Sequence, residues 1–189
     1  MTSSRVRQRL ARLALVLPLV LAPSGAVAQP KESPLGEGRR VLSAQGERYG
    51  VLPETHAVTR RVRDVFARIA RAAGRRPGLA FEVHVLDTPK IVVEALRGGL
   101  VAISRGAVDL ARGDDNALAF LLAHEVAHLE RDHHALLESL GVLGAGTGSE
   151  RGSSPGEHVV RVYQAVELDA DRLGVLYAGI ARPRRSRSS

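Results

Sequence analysis

The stretch "LLAHEVAHLERDHH", Leu121–His134, sets four histidines and three acidic residues directly after an apolar run. Within it, His124-Glu125-Val126-Ala127-His128 has the H-E-x-x-H spacing. On a helix of 3.6 residues per turn, His124 and His128 lie about 40° apart around the axis and about 6 Å along it. Both imidazoles can then bind one metal ion from the same face, with Glu125 beside that face as a general base rather than a ligand. The alternative is an ordinary polar helix end, where histidine is favoured by the dipole. A third ligand should decide between them.

Downstream, "AVELDADRLG" puts Glu167 and Asp171 four residues apart on another expected helix, with Val166, Ala170, Leu173 and Val175 available for burial. An acid turned toward a core needs a partner, and zinc suits Glu167, since two histidines and a glutamate form a known catalytic zinc set. Asp171, one turn on, can accept the remaining ring N–H of a ligating histidine and so hold its tautomer. A pair of solvated acids is the other reading. The H-E-x-x-H upstream favours ligation.

Working outward, periodicity assigns the elements. Val58, Val62, Val65, Phe66 and Ile69 recur at helical spacing, which predicts a helix from His56 to about Ala73, capped by Thr55 and ended by Gly74. "FEVHVL" alternates as a half-buried strand does, and "IVVEAL" and "GLVAIS" are two further apolar runs. Together they predict a small, mostly antiparallel sheet. Short helical character in "AVDLA" precedes a strong helix over about 115–131, a stretch rich in Gly and Ser spans 141–156, and a last helix covers about 157–177. Helix, three strands, helix, loop and helix make an α+β domain.

The N-terminal segment is excluded from that fold. Arg5, Arg7, Arg9 and Arg12 precede the apolar stretch Leu13–Ala22, and Ala26 and Ala28 form an A-x-A pattern. This predicts an exported protein cleaved after Ala28, because an apolar run of about ten residues broken by Pro18 is well short of the ~20 of a spanning helix. The formal charge of +7 includes those four arginines, which leaves +3 for residues 29–189. Four more arginines in the last nine residues leave the body near −1. Basicity is therefore terminal, and no basic stripe interleaved with aromatics supports nucleic-acid binding. The arginine tail can touch an anionic membrane surface as a peripheral association or be a solvated end, and the second is favoured. With no cysteine there is no disulfide framework, so packing, helped by a metal, must hold the domain. The expected organisation is a signal peptide (1–28), a linker or loose arm (29–53), the catalytic domain (54–180) and a basic tail (181–189).

In "GGLVAISRG", "NALAFLLAHEVAHLERDH" and "ELDADRLGVLYAG", between about Gly98 and Gly179, the chain resembles the gluzincin metallopeptidases of the HtpX, OMA and CAAX-prenyl-protease type, peptidase family forty-eight. The resemblance implies a zincin-like domain of minimal size with one Zn2+ held by His124, His128 and Glu167, Glu125 as general base and Asp171 supporting a ligand histidine. It implies hydrolysis of peptide bonds in peptide or unfolded-protein substrates of the exported or envelope compartment, with a quality-control role by analogy. His133 matches a histidine often found five residues after the second ligand, with no role assigned. A strand before the metal helix lines the cleft in that family, which makes "GLVAIS" the expected partner of a substrate strand. For the oxyanion, Tyr163, Tyr177, His158 and His133 are candidates. The reading from another class is a zinc-stabilised envelope binding or chaperone-like module without turnover. A structural zinc site is usually closed by four ligands, often cysteine, which disfavours it.

Overall fold

The computed structural model describes residues 32–74, 78–141 and 155–182. The expected signal segment, residues 142–154 of the Gly/Ser stretch and residues 183–189 of the basic tail lie outside them. In chain order the elements are α1 (Pro34–Tyr49), α2 (Ala57–Ala72), β1 (Glu82–Leu86), β2 (Val93–Leu96), β3 (Leu100–Ser104), α3 (Arg105–Leu110), α4 (Asp115–Arg131), α5 (His133–Ser139) and α6 (Pro155–Ile180). The fold is α+β, as expected. α4 occupies the span its periodicity assigns.

Four expectations are corrected. Residues 34–49, expected within a linker or loose arm, form α1: the Ser33 hydroxyl accepts from the Gly36 N–H at 3.1 Å, and Pro34 supplies the first turn. This helix covers one face of the sheet through Val41, Leu42 and Tyr49, against Leu86, Leu96, Leu100 and Ala102. It has few apolar residues, so no strong period announces it, although Ser-Pro is a helix-start signal. The cap of α2 is His56 rather than Thr55, because the imidazole Nδ1 accepts from the Val58 N–H at 3.2 Å.

The third correction concerns the sheet, which is mixed rather than mostly antiparallel. Its order is β1-β3-β2, with β1 parallel and β2 antiparallel to β3. The turn at residues 97–99 makes β2 and β3 a hairpin, while residues 87–92 carry the chain across to the far side of β3. β3 is buried at all five positions and alternates its sides: Val101 and Ile103 face the main core, Leu100 and Ala102 face α1. A continuous apolar run is the mark of a central strand. "GLVAIS" therefore has neighbours on both sides and cannot take a substrate strand. β2 is the strand with an open edge among the described residues, since the outer side of β1 is bridged by Val51 and Leu52.

The main core joins Val62, Val65, Phe66 and Ile69 of α2 to Leu118, Leu122 and Val126 of α4, with Ala170 of α6 behind them. α6 packs along α4 at very short range. A Cβ at Gly174 would lie 3.1 Å from the His124 nitrogen and 3.2 Å from its Cα. Ala123, Ala127 and Ala170, all fully buried, continue this small-residue seam. Close approach of the two helices is what brings their polar residues together.

Candidate metal centre

His124 and His128 leave α4 on one face and meet Glu167 from α6, and the three offer ligand atoms within 4.8 Å of one another. The Nε2 atoms of the histidines are 3.1 Å apart, and the Glu167 oxygens lie 3.3 Å from His124 Nε2 and 3.6 Å from His128 Nε2. For bonds of about 2.0–2.1 Å, the edge of a tetrahedron is about 3.3 Å, which these separations match. Burial and the neighbouring histidines push His128 down to about 4, so it is neutral near pH 7 with a lone pair free for a cation. These residues fit a divalent metal.

Each histidine is held from behind. Asp171 Oδ1 sits 3.0 Å from His124 Nδ1, the contact its spacing from Glu167 anticipates. His128 Nδ1 instead meets Nδ1 of the buried His133 at 3.0 Å, and His133 Nε2 faces Asp169 Oδ2 at 3.4 Å. With His128 Nε2 turned to the metal position, its proton belongs on Nδ1, so His133 must accept there and donate through Nε2 to Asp169. Burial holds the His133 pKa below its ordinary value, which suits that neutral form. Asp132 makes the arrangement possible: its left-handed conformation (φ 52°, ψ 46°) ends α4, and it starts α5 by accepting from the Ala135 N–H. Neither Asp169 nor the His128–His133 contact was read from the sequence. The cue available was His133, five residues past His128.

Loss of this support should be measurable. His133→Ala and Asp169→Asn are each expected to weaken zinc affinity about 10- to 100-fold in a competitive chelator titration, the usual effect of removing a partner of a ligating histidine.

Glu125 lines a cleft of about 340 Å³ with Val93, Ala95, Tyr163 and the ligand residues. Burial, with Glu167 and Glu94 adding to it, pushes its carboxyl up to about 7, while His124 and the backbone N–H of Ala95 in β2 favour the ionised form. A group titrating near 7 is matched to proton transfer at neutral pH. A cation among these acids would favour ionisation further. Of the oxyanion candidates, Tyr177 is buried and bonded to Glu130, and both ring nitrogens of His133 are engaged. His158 is exposed and is not among the residues lining the cleft, whereas Tyr163, four residues before Glu167, lines it.

An α+β domain in which H-E-x-x-H on one helix meets a glutamate from a second has the architecture of a gluzincin-type metallopeptidase domain. Residues 56–147, just under half of the chain, match the model of peptidase family M48. The match includes His124, Glu125 and His128 and stops short of Glu167, which tertiary structure brings to them. The chain is 36% identical over 97 residues to the mitochondrial metalloendopeptidase OMA1 of Schizosaccharomyces pombe, covering 51% of this chain and 28% of that one. With the protein of the same name from Saccharomyces cerevisiae it shares 29% identity over 119 residues, 58% of this chain and 34% of the other. It thus spans about a third or less of the length of these relatives.

Proposed function

We propose that this chain is a zinc-dependent endopeptidase that cleaves exported or envelope polypeptides, with unfolded segments as its substrates. The observation that carries the reading is the convergence of His124, His128 and Glu167 beside a half-buried Glu125 that is not one of the three. A site built only to hold helices together has no use for that acid.

Bound zinc would act as a Lewis acid on the scissile carbonyl and make water a stronger acid. Glu125, oriented by the Ala95 amide, takes the proton of the attacking water and passes it to the leaving amine. Tyr163, which lines the cleft, is our candidate to donate to the oxyanion. The substrate adds as a strand to β2. Val92 accepts from the Ser104 N–H at 2.8 Å, so alternation turns residues 94 and 96 toward β3 and residues 93 and 95 outward. The Val93 amide and the Val93 and Ala95 carbonyls are then available to an extended chain, a mode that reads backbone and favours unfolded substrates. The arginine-apolar-A-x-A pattern of residues 1–28 supports export, which N-terminal sequencing of the mature protein tests: a start at Gln29 is expected.

The activity test pairs metal analysis with cleavage of casein or an unfolded outer-membrane protein. One zinc per chain is expected, with cleavage lost on chelation and restored by zinc. Absence of bound metal would sink the assignment. Zinc without cleavage would favour the binding module.

A further inference from the structure

Apart from Asp169, the outer face of α6 plays no part in the metal centre, and its composition is unusual. Leu168, Val175, Leu176 and Ile180 are 50%, 62%, 52% and 61% exposed. At 100° per residue all four fall within about 80° of Arg172 around the axis, and Arg161 lies on the same line. The exposed residues Gln164, Ala165 and Gly179 complete this face. It carries two acids: Glu157 in the first turn, four residues before Arg161, and Asp169, which is turned toward Arg131 at 3.3 Å and His133 at 3.4 Å. The other acids of the second half of the helix, Glu167 and Asp171, point to the ligand histidines. From Glu167 onward the helix has thus sorted its charges: acids toward the metal centre and its supporting histidine, Arg172 among exposed aliphatic residues on the other side.

Basic groups continue at the C-terminal end of this face. Ile180 and Ala181 share a shallow hollow with Arg68 and Arg71 of α2, and Arg71, Arg172 and Arg182 have no acidic partner among the described residues. From Arg172 to Ser189 the sequence has five arginines and no acid. Among the described residues no helix is long and apolar enough to cross a membrane.

We propose that this face of α6 docks on an anionic lipid surface, with Leu168, Val175, Leu176 and Ile180 in the headgroup boundary and Arg161, Arg172 and Arg182 on lipid phosphates. Aliphatic residues flanked by arginines are the composition of a helix that lies on a membrane, and long arginine side chains reach headgroups while their stems cover apolar surface. A second copy is a poorer occupant, because a two-fold contact through this face would bring the same unpaired arginines together. Docking in this way leaves the cleft on the other side of α6 free. The inference stands apart from the peptidase reading and can hold if that reading fails.

The chain has no cysteine, so one introduced thiol reports one position. Leu176→Cys carrying an environment-sensitive fluorophore is mixed with phosphatidylglycerol-containing vesicles and, separately, with pure phosphatidylcholine vesicles. Glu47→Cys on α1 is the control. A blue shift at position 176 with anionic vesicles only, reversed by salt and absent at position 47, is expected. Arg172→Gln and Arg182→Gln should each weaken that response about fivefold, the share of one arginine near a charged membrane. An unshifted probe at 176 would overturn the proposal even if the vesicles bind the chain elsewhere. A shift that needs no lipid and grows with protein concentration would overturn it in favour of a second copy.

Discussion

Glu125→Gln is expected to keep its zinc and lose turnover, with kcat/KM falling about 10²- to 10⁴-fold, the range for removing a general base. Glutamine preserves the size of the side chain and an oxygen for the Ala95 amide, but it cannot take a proton. None of the three ligand residues changes, so metal stoichiometry should not. The same substitution has a second, opposite signature. In the metal-free protein the Glu125 carboxyl is raised from 4.5 to about 7 by burial and by Glu167 and Glu94. A raised folded-state pKa contributes stability that is present below the unfolded value and is lost as pH rises through the folded one. Above pH 7 the metal-free wild type therefore bears a partly buried charge that costs up to about 3 kcal/mol, which the amide removes. Thermal melting of both metal-free proteins at pH 5 and pH 8 should show the variant gaining on the wild type only at the higher pH. A loss of zinc in the variant would instead make Glu125 a ligand.

The second large effect is expected at a residue with no side chain. Gly174→Val places branched carbon against the backbone of His124, where even a Cβ would sit at 3.1–3.2 Å. Overpacking of this kind typically costs about 1–3 kcal/mol. The backbone of α4 is anchored in the main core, so α6 must give way, and it carries Glu167 and Asp171 with it. Zinc affinity should fall about 100-fold or more, with a lower melting temperature, while Gly174→Ala loses far less because a few tenths of an ångström suffice. Wild-type zinc affinity in Gly174→Val would show that the approach of α6 to α4 does not set the site. This prediction and the one for Glu125 separate the two ingredients of the centre: holding the metal and moving the proton.

Much of the centre was legible because it is local. H-E-x-x-H is a statement about one face of one helix, and Glu167 with Asp171 is a statement about one face of another; the 3.6-residue period makes both readable from spacing alone. α4 over Asp115–Arg131 was legible for the same reason, with Asp114 capping it and an apolar stripe beneath. The helix α1 was not. Its apolar packing on the sheet rests on Val41, Leu42 and Tyr49, it starts at Ser-Pro, and at Gly38 its backbone comes so close to the Arg97 carbonyl that a side chain would not fit. A polar helix held by the surface it covers leaves a weak imprint on its own period.

What the sequence alone determined, then, was the candidate ligand set, the register of each candidate on its helix, the number of strands and the α+β class. Tertiary structure decided which strand is open and which is central, because strand order depends on how residues 87–92 cross, and no local period encodes a crossing. It also decided that His128 is supported by His133 and Asp169 while His124 is supported by Asp171. That pairing needs the left-handed turn at Asp132 and the small-residue seam at Gly174 together. These are contacts between segments far apart in the chain, and they exist only once α6 has docked on α4.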